Sequence, residues 1–114
     1  MHELGVARSI VELATDAARN AGATRVTAIR VRIGDLAGVA PESLRFCFDA
    51  ASENTVITGA RLEIEVIRVA IHCNICEMNL ELSEPIRFVC PNCNTPIANI
   101  VHGHELEVES IEVI

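Results

Sequence analysis

Two cysteine pairs, Cys73-x-x-Cys76 and Cys90-Pro91-x-Cys93, stand thirteen residues apart, and no other feature of the chain restricts its folding as much. Four sulfurs at this spacing close a tetrahedron around one ion, and zinc favours a four-sulfur site that leaves no coordination position vacant. The forks therefore read as a structural metal site. A thioredoxin-like redox centre needs only one such pair ahead of a helix, so the duplication argues against redox chemistry. Iron held in the manner of rubredoxin is the main competitor for the same thiolates, disfavoured by the scant aromatic shielding around the forks. A catalytic zinc needs an open position and a nearby base, and no three-ligand set in the chain improves on the four cysteines.

The chain has 114 residues, 50% of them hydrophobic and 22% charged, which suits one globular domain or one domain carrying a small insert. No run approaches the roughly 18 to 20 apolar residues of a membrane helix, and the first residues lack the basic and apolar regions of a secretory signal. A cytoplasmic protein is expected. In that reducing compartment the forks, with Cys47 standing alone, serve as metal ligands rather than disulfides. The net charge is −7, with nine arginines and no lysine, and metal-bound thiolates make the balance more acidic still. Such a surface repels phosphate backbones. There is no basic stripe and there are only three phenylalanines, so no nucleic-acid partner is expected.

Between Leu4 and Arg19 the apolar residues Leu4, Ala7, Ile10, Val11, Ala14, Ala17 and Ala18 recur at three- and four-residue spacing, predicting an amphipathic helix that Gly22 stops. Arg25 to Ile33 then alternates, with Ile29, Val31 and Ile33 on one face and Arg30 and Arg32 on the other, predicting a half-buried strand closed by Gly34-Asp35. Pro41 suits the first turn of a second helix lined by Leu44, Cys47, Phe48 and Ala51. Past Thr58-Gly59, Leu62, Ile64 and Val66 alternate with Arg61, Glu63 and Glu65 as a second strand. The phase then passes to Ile67, Val69 and Ile71, which predicts a bulge or twist where the strand leaves the main sheet. Glu105 to Val113 alternates as a third strand.

This order predicts an α+β (α/β-like) domain: a small three-stranded mixed sheet covered by two helices, with an inserted four-cysteine, zinc-ribbon-like module. Residues 1–70 and 102–114 form the main domain in this reading, and 71–101 the module. Apolar residues between Ile71 and Val101 are few and scattered, so the module is expected to depend on its metal. Ordering costs roughly 1 to 2 kcal/mol per residue, and structural zinc contributes on the order of 10 to 16 kcal/mol.

Cys47, between Phe46 and Phe48, reads as packing. His72 abuts the first fork, where a histidine more often supports a metal site than ligates in it. His102 and His104 flank Gly103 and read as hydrogen-bonding groups at a junction, with auxiliary metal binding the minority reading. The N-terminus, Met1-His2-Glu3, is sharper. A large second residue is expected to protect the initiator methionine, leaving the free amine one residue from an imidazole. That amine, the amide nitrogens of His2 and Glu3 and the His2 ring can surround nickel(II) or copper(II) in one plane, a geometry from which zinc gains little. Taken alone, an N-terminal histidine is more often a solvated tail residue.

Met1-His2-Glu3-Leu4 opening an amphipathic helix, the Val31-Arg32-Ile33-Gly34 strand end, the two forks, and the closing Gly103-His104-Glu105-Leu106-x-Val108-x-Ser110-Ile111 together resemble the HypA/HybF hydrogenase nickel-incorporation proteins, along essentially the whole chain. The resemblance implies a nickel-binding domain made of the first helix and sheet, His2 as nickel ligand, and structural zinc on Cys73, Cys76, Cys90 and Cys93. It implies that Met1 contributes its amine and Glu3 its backbone amide, with the Glu3 carboxylate a further candidate.

On this basis the chain is expected to be a non-enzymatic nickel metallochaperone that serves the large-subunit precursor of a [NiFe] hydrogenase. A nickel-handling GTPase is the implied partner, and the protein is expected to be a monomer or weak dimer. There is one departure from the pattern. Some relatives carry histidines just after the forks, where this chain has Asn79 and Asn94; neutral amides replace thiolates poorly, so no exchange of ligands with pH is expected unless His72 substitutes. The alternative function is a zinc-ribbon interaction module, engaging a protein through a sheet edge or its acidic surface and carrying no transferable metal.

Overall fold

The computed structural model describes residues 3–114; Met1 and His2 fall outside the described residues. The elements, in order, are α1 (Glu3–Asn20), β1 (Val26–Gly34), α2 (Pro41–Ser52), β2 (Arg61–Ile67), β3 (Ala70–Cys73), β4 (Met78–Glu81), β5 (Ile100–His102) and β6 (Leu106–Val113). They fall into two compact units, one made of Met1–Arg32, Gly38–Glu65 and Glu107–Ile114, the other of Ile33–Ala37 and Val66–Leu106. The second unit is wider than the 71–101 span of the forks and their loops, because it takes in the end of β1 and the turn after it.

The first unit is built on apolar periodicity. Val6, Ala7, Ile10, Val11, Ala14 and Ala18 form the buried stripe of α1; five of them lie on the face that the three- and four-residue spacing predicts, Val6 joins it, and of the other predicted members Leu4 is exposed and Ala17 half-buried. Leu44, Phe48 and Ser52 line the buried side of α2, and the two helices pack on each other. Cys47, expected in that packing, is only half-buried.

β1, β2 and β6 form a three-stranded sheet in the order β2-β1-β6. Arg25 and Ile114 exchange backbone hydrogen bonds at 3.2 and 3.0 Å while Gly34 N–H reaches the Glu105 carbonyl at 2.8 Å, so β6 runs antiparallel to β1. Contacts from Arg25 to Thr58 and from Arg32 to Glu65 rise together in number, as parallel strands require. The sheet is therefore mixed. On its polar face Arg30 pairs with Glu109 at 3.5 Å, and Arg32 with Glu65 and Glu107 at 3.6 and 2.8 Å. These are partly exposed pairs, worth about 0 to 1 kcal/mol each.

The predicted phase change after Val66 falls where β2 ends at Ile67 and Arg68-Val69 interrupts the chain before β3 starts in a separate sheet. There β3 lies between β4 and β5, antiparallel to both, with an irregular register between Ala70 and Ile71 against β5. The short strands β4 and β5 are absent from the sequence reading. So is the core they help to close: Val69, Ile71, Cys73, Leu82 and Cys90 are buried, and Leu36, Leu80, Ile86, Ile97 and Ile100 pack against them. Residues that look scattered along the chain converge because the forks bend it back on itself.

Two glycines in this unit are required by close approach. A Cβ on Gly34 would sit 2.0 Å from the Gly103 carbonyl oxygen, which itself accepts the Leu36 N–H at 2.7 Å. Gly103 has φ +132, a region L side chains rarely adopt. Among the described residues, no helix is long and apolar enough to cross a membrane.

Candidate metal centre

The four fork sulfurs come together, one ligand atom each, all within 4.8 Å of one another. Cys73 and Cys93 sulfurs are 3.6 Å apart and Cys76 and Cys90 sulfurs 3.8 Å. A disulfide would hold them at about 2.05 Å. A regular tetrahedron with metal–sulfur bonds of about 2.3 Å has edges of about 3.8 Å, so the donor set fits zinc.

Each fork ends in a residue with a left-handed backbone, Glu77 after the first (φ 53) and Asn94 after the second (φ 63). Asn adopts this conformation readily and Glu does not, which places the strain at the first fork. The second is stitched by Asn94 N–H to the Cys90 carbonyl and Cys90 N–H to the Thr95 carbonyl, both 2.8 Å. β3 delivers Cys73 from its last position, buried like Cys90; Cys76 is half-buried and Cys93 exposed.

The sulfurs also have polar partners. Cys76 N–H donates to Cys73 Sγ at 3.4 Å and Asn92 Nδ2 to Cys76 Sγ at 3.3 Å, while Thr95 Oγ1 lies 3.2 Å from Cys93 Sγ. Thr95, through its hydroxyl and then its backbone, draws the Cys93 thiol from the ordinary 9.0 to about 6. At Cys76 the Asn92 amide pulls the same way, but desolvation and the three neighbouring sulfurs outweigh it and push the thiol up to about 11. Four thiols this close cannot all ionise unaided. A bound dication removes that conflict.

Among the described residues, the other predicted site residues stand outside the sulfur cluster. His72 is on β3 beside Cys73, but its Nδ1 is 2.7 Å from Asn79 Oδ1 across the β3–β4 pair. Among the described residues it does not join the sulfur cluster. His102 Nδ1 lies 2.8 Å from Glu105 Oε2, while Glu105 Oε1 accepts the Gly103 N–H at 2.7 Å. Met1 and His2 are outside the described residues. Glu3 opens α1, and its carboxylate accepts the N–H of Ala40 at 3.0 Å. Ala40 is the N-cap of α2 and makes no side-chain cap hydrogen bond, and Glu3 takes up its N–H.

Sequence reasoning passed over Asn92, Thr95 and Glu105 as members of these polar clusters. The signal was available for two of them: Cys90-Pro91-Asn92-Cys93-Asn94-Thr95 is dense in side chains able to donate to sulfur.

From residue 1 to 113 the chain matches the family described as "Hydrogenase/urease nickel incorporation, metallochaperone, hypA". It is 46% identical over 112 residues to the hydrogenase maturation factor HypA of Chloroflexus aurantiacus, covering 98% of both chains. To the HypA of a Roseiflexus species it is 43% identical, covering 98% of this chain and 91% of that one. The solution structure of the nickel metallochaperone HypA from Helicobacter pylori superposes with a TM-score of 0.69 at 23% identity, over 100% of this chain and 98% of the other. At that identity the likeness speaks for the fold. The fold, the four-sulfur cluster and the whole-length match agree: this chain belongs to the HypA family of hydrogenase/urease nickel-incorporation metallochaperones, which are maturation factors and not enzymes.

Proposed function

We propose that the protein captures nickel(II) at its N-terminus and hands it to the large-subunit precursor of a [NiFe] hydrogenase in the cytoplasm, working with a nickel-handling GTPase, as a monomer or weak dimer. Cys73, Cys76, Cys90 and Cys93 hold a structural zinc, which stabilises the second unit and takes no part in the transfer. The observation that carries this reading is the family match beginning at residue 1, with Met1-His2-Glu3 in place.

The nickel ligands in this reading are the Met1 amine, the His2 and Glu3 amide nitrogens and the His2 imidazole. A ligand set at a chain end is open to takeover by an acceptor. Copper(II) outranks nickel in the usual order of affinities, so selectivity rests on copper scarcity and on the partners.

Native mass spectrometry of the untagged protein tests the reading. Wild type should carry one zinc and one nickel; His2→Ala, or an extension ahead of Met1, should keep zinc alone with the fold intact. Nickel should leave as pH falls below about 6.5, where imidazole takes up a proton, while zinc stays. Stoichiometric nickel on His2→Ala would move the site, with His102 and His104 the first candidates. A wild type that takes up only zinc would leave the interaction module as the function.

A further inference from the structure

The two sulfurs nearest solvent each face a side chain that can donate a hydrogen bond. Asn92 Nδ2 donates to the half-buried Cys76, and the Thr95 hydroxyl lies 3.2 Å from the exposed Cys93. Buried Cys73 is served by backbone, the Cys76 N–H. Both side chains belong to the second fork, on either side of Cys93, yet Asn92 reaches the first fork. Neither residue is loosely placed, because Thr95 is tied through its carbonyl to Cys90 N–H at 2.8 Å and Asn92 lies inside the Cys90–Cys93 loop that Asn94 N–H closes.

Four thiolates around one dication leave excess negative charge, and donors to sulfur offset it. The offset matters most at Cys76 and Cys93, where a competing chelator or electrophile first makes contact. We infer that Asn92 and Thr95 are positioning residues of the metal site: the Asn92 amide, which donates to Cys76, and the Thr95 hydroxyl, which accepts from the Cys93 thiol and is left to donate once metal binding removes that proton, set how firmly the ion is held, and Asn92 ties one fork to the other. This rests on the zinc reading above.

The test uses the full-length, zinc-loaded protein and two readouts: the rate of zinc transfer to a chromogenic chelator, and the sulfur-to-metal charge-transfer band after cobalt(II) substitution. Asn92→Ala and Thr95→Val should each release zinc about tenfold faster and move the band to lower energy, since sulfur that loses a donor holds its electrons less tightly. Thr95→Ser, which keeps the hydroxyl, should restore both. Asn92→Asp, placing a negative charge beside Cys76, should exceed Asn92→Ala. Wild-type rates and band positions in Asn92→Ala and Thr95→Val, with zinc bound, would overturn the inference and leave the zinc reading standing. Absence of zinc from the wild type would overturn both.

Discussion

In the helix-bearing unit the buried side chains are almost all apolar, from the α1 stripe through Leu44 and Phe48 to the β1 residues Ile29 and Val31. In the sulfur-bearing unit the buried cluster is small, and two of its five members, Cys73 and Cys90, are sulfur donors. Burial of apolar area suffices for the first unit at about 25 cal/mol per Å². The second has short strands, long loops and too little such area, so a cross-link must supply the rest. One chain thus uses two stabilising strategies, and each leaves its own mark in sequence: periodicity in one, ligand spacing in the other.

The comparison breaks most visibly when the metal is withdrawn. Chelation, or Cys90→Ala, should remove on the order of 10 kcal/mol from the second unit. Hydrogen exchange should then show residues 66–106 losing protection while α1 and α2 keep theirs. Equal loss in both units would mean that they share one source of stability. The converse change is Phe48→Ala. Phe48 is 2% exposed, so truncation should cost about 3 to 5 kcal/mol in urea unfolding and leave the zinc content unchanged. Two residues away on the same helix Phe46 is 78% exposed, and its truncation should change stability by less than about 0.5 kcal/mol.

The same contrast explains what was legible. The α1, β1, α2, β2 and β6 elements could be read because each repeats its period several times. The four-residue β4 and three-residue β5 are too short to show one. Leu36, Ile86 and Ile97 look isolated in loops, and their convergence is a long-range consequence of the forks that no local window contains. The forks, by contrast, announce the site through spacing alone. The hydrogen bonds of Asn92 and Thr95 stayed hidden because donor direction depends on how each fork turns. Gly34 reads from the sequence as the turn that closes β1 and Gly103 as part of a family pattern, whereas the reason for both is spatial. Gly34→Ala should cost about 3 kcal/mol, since the atom its Cβ meets is the Gly103 backbone oxygen, which cannot rotate away. Normal stability in this variant would mean that the close approach at this turn relaxes freely.

A smaller cost than that of Phe48→Ala or Gly34→Ala attaches to a polar contact that neither strategy accounts for. Glu105 is 15% exposed at its side chain, and burial by itself would push its carboxyl up. The His102 imidazole, then the Gly103 N–H and its own N–H, donate to it and more than reverse that push, so the group falls from the ordinary 4.5 to about 2. The sign follows. A carboxyl depressed in the folded state binds its proton later than the unfolded chain does, so its contribution is present above pH 4.5 and is lost as pH falls toward 2. Glu105→Gln keeps an acceptor for Gly103 N–H but removes the charge, and should cost about 1 to 2 kcal/mol at neutral pH. Its urea midpoint should then fall less steeply than wild type between pH 4.5 and 2. Acid also strips zinc from thiolates, but it does so in both proteins, so the difference between the two curves isolates Glu105. Parallel curves would show that the carboxylate adds nothing in that window, and that the sulfurs alone govern how the second unit fails in acid.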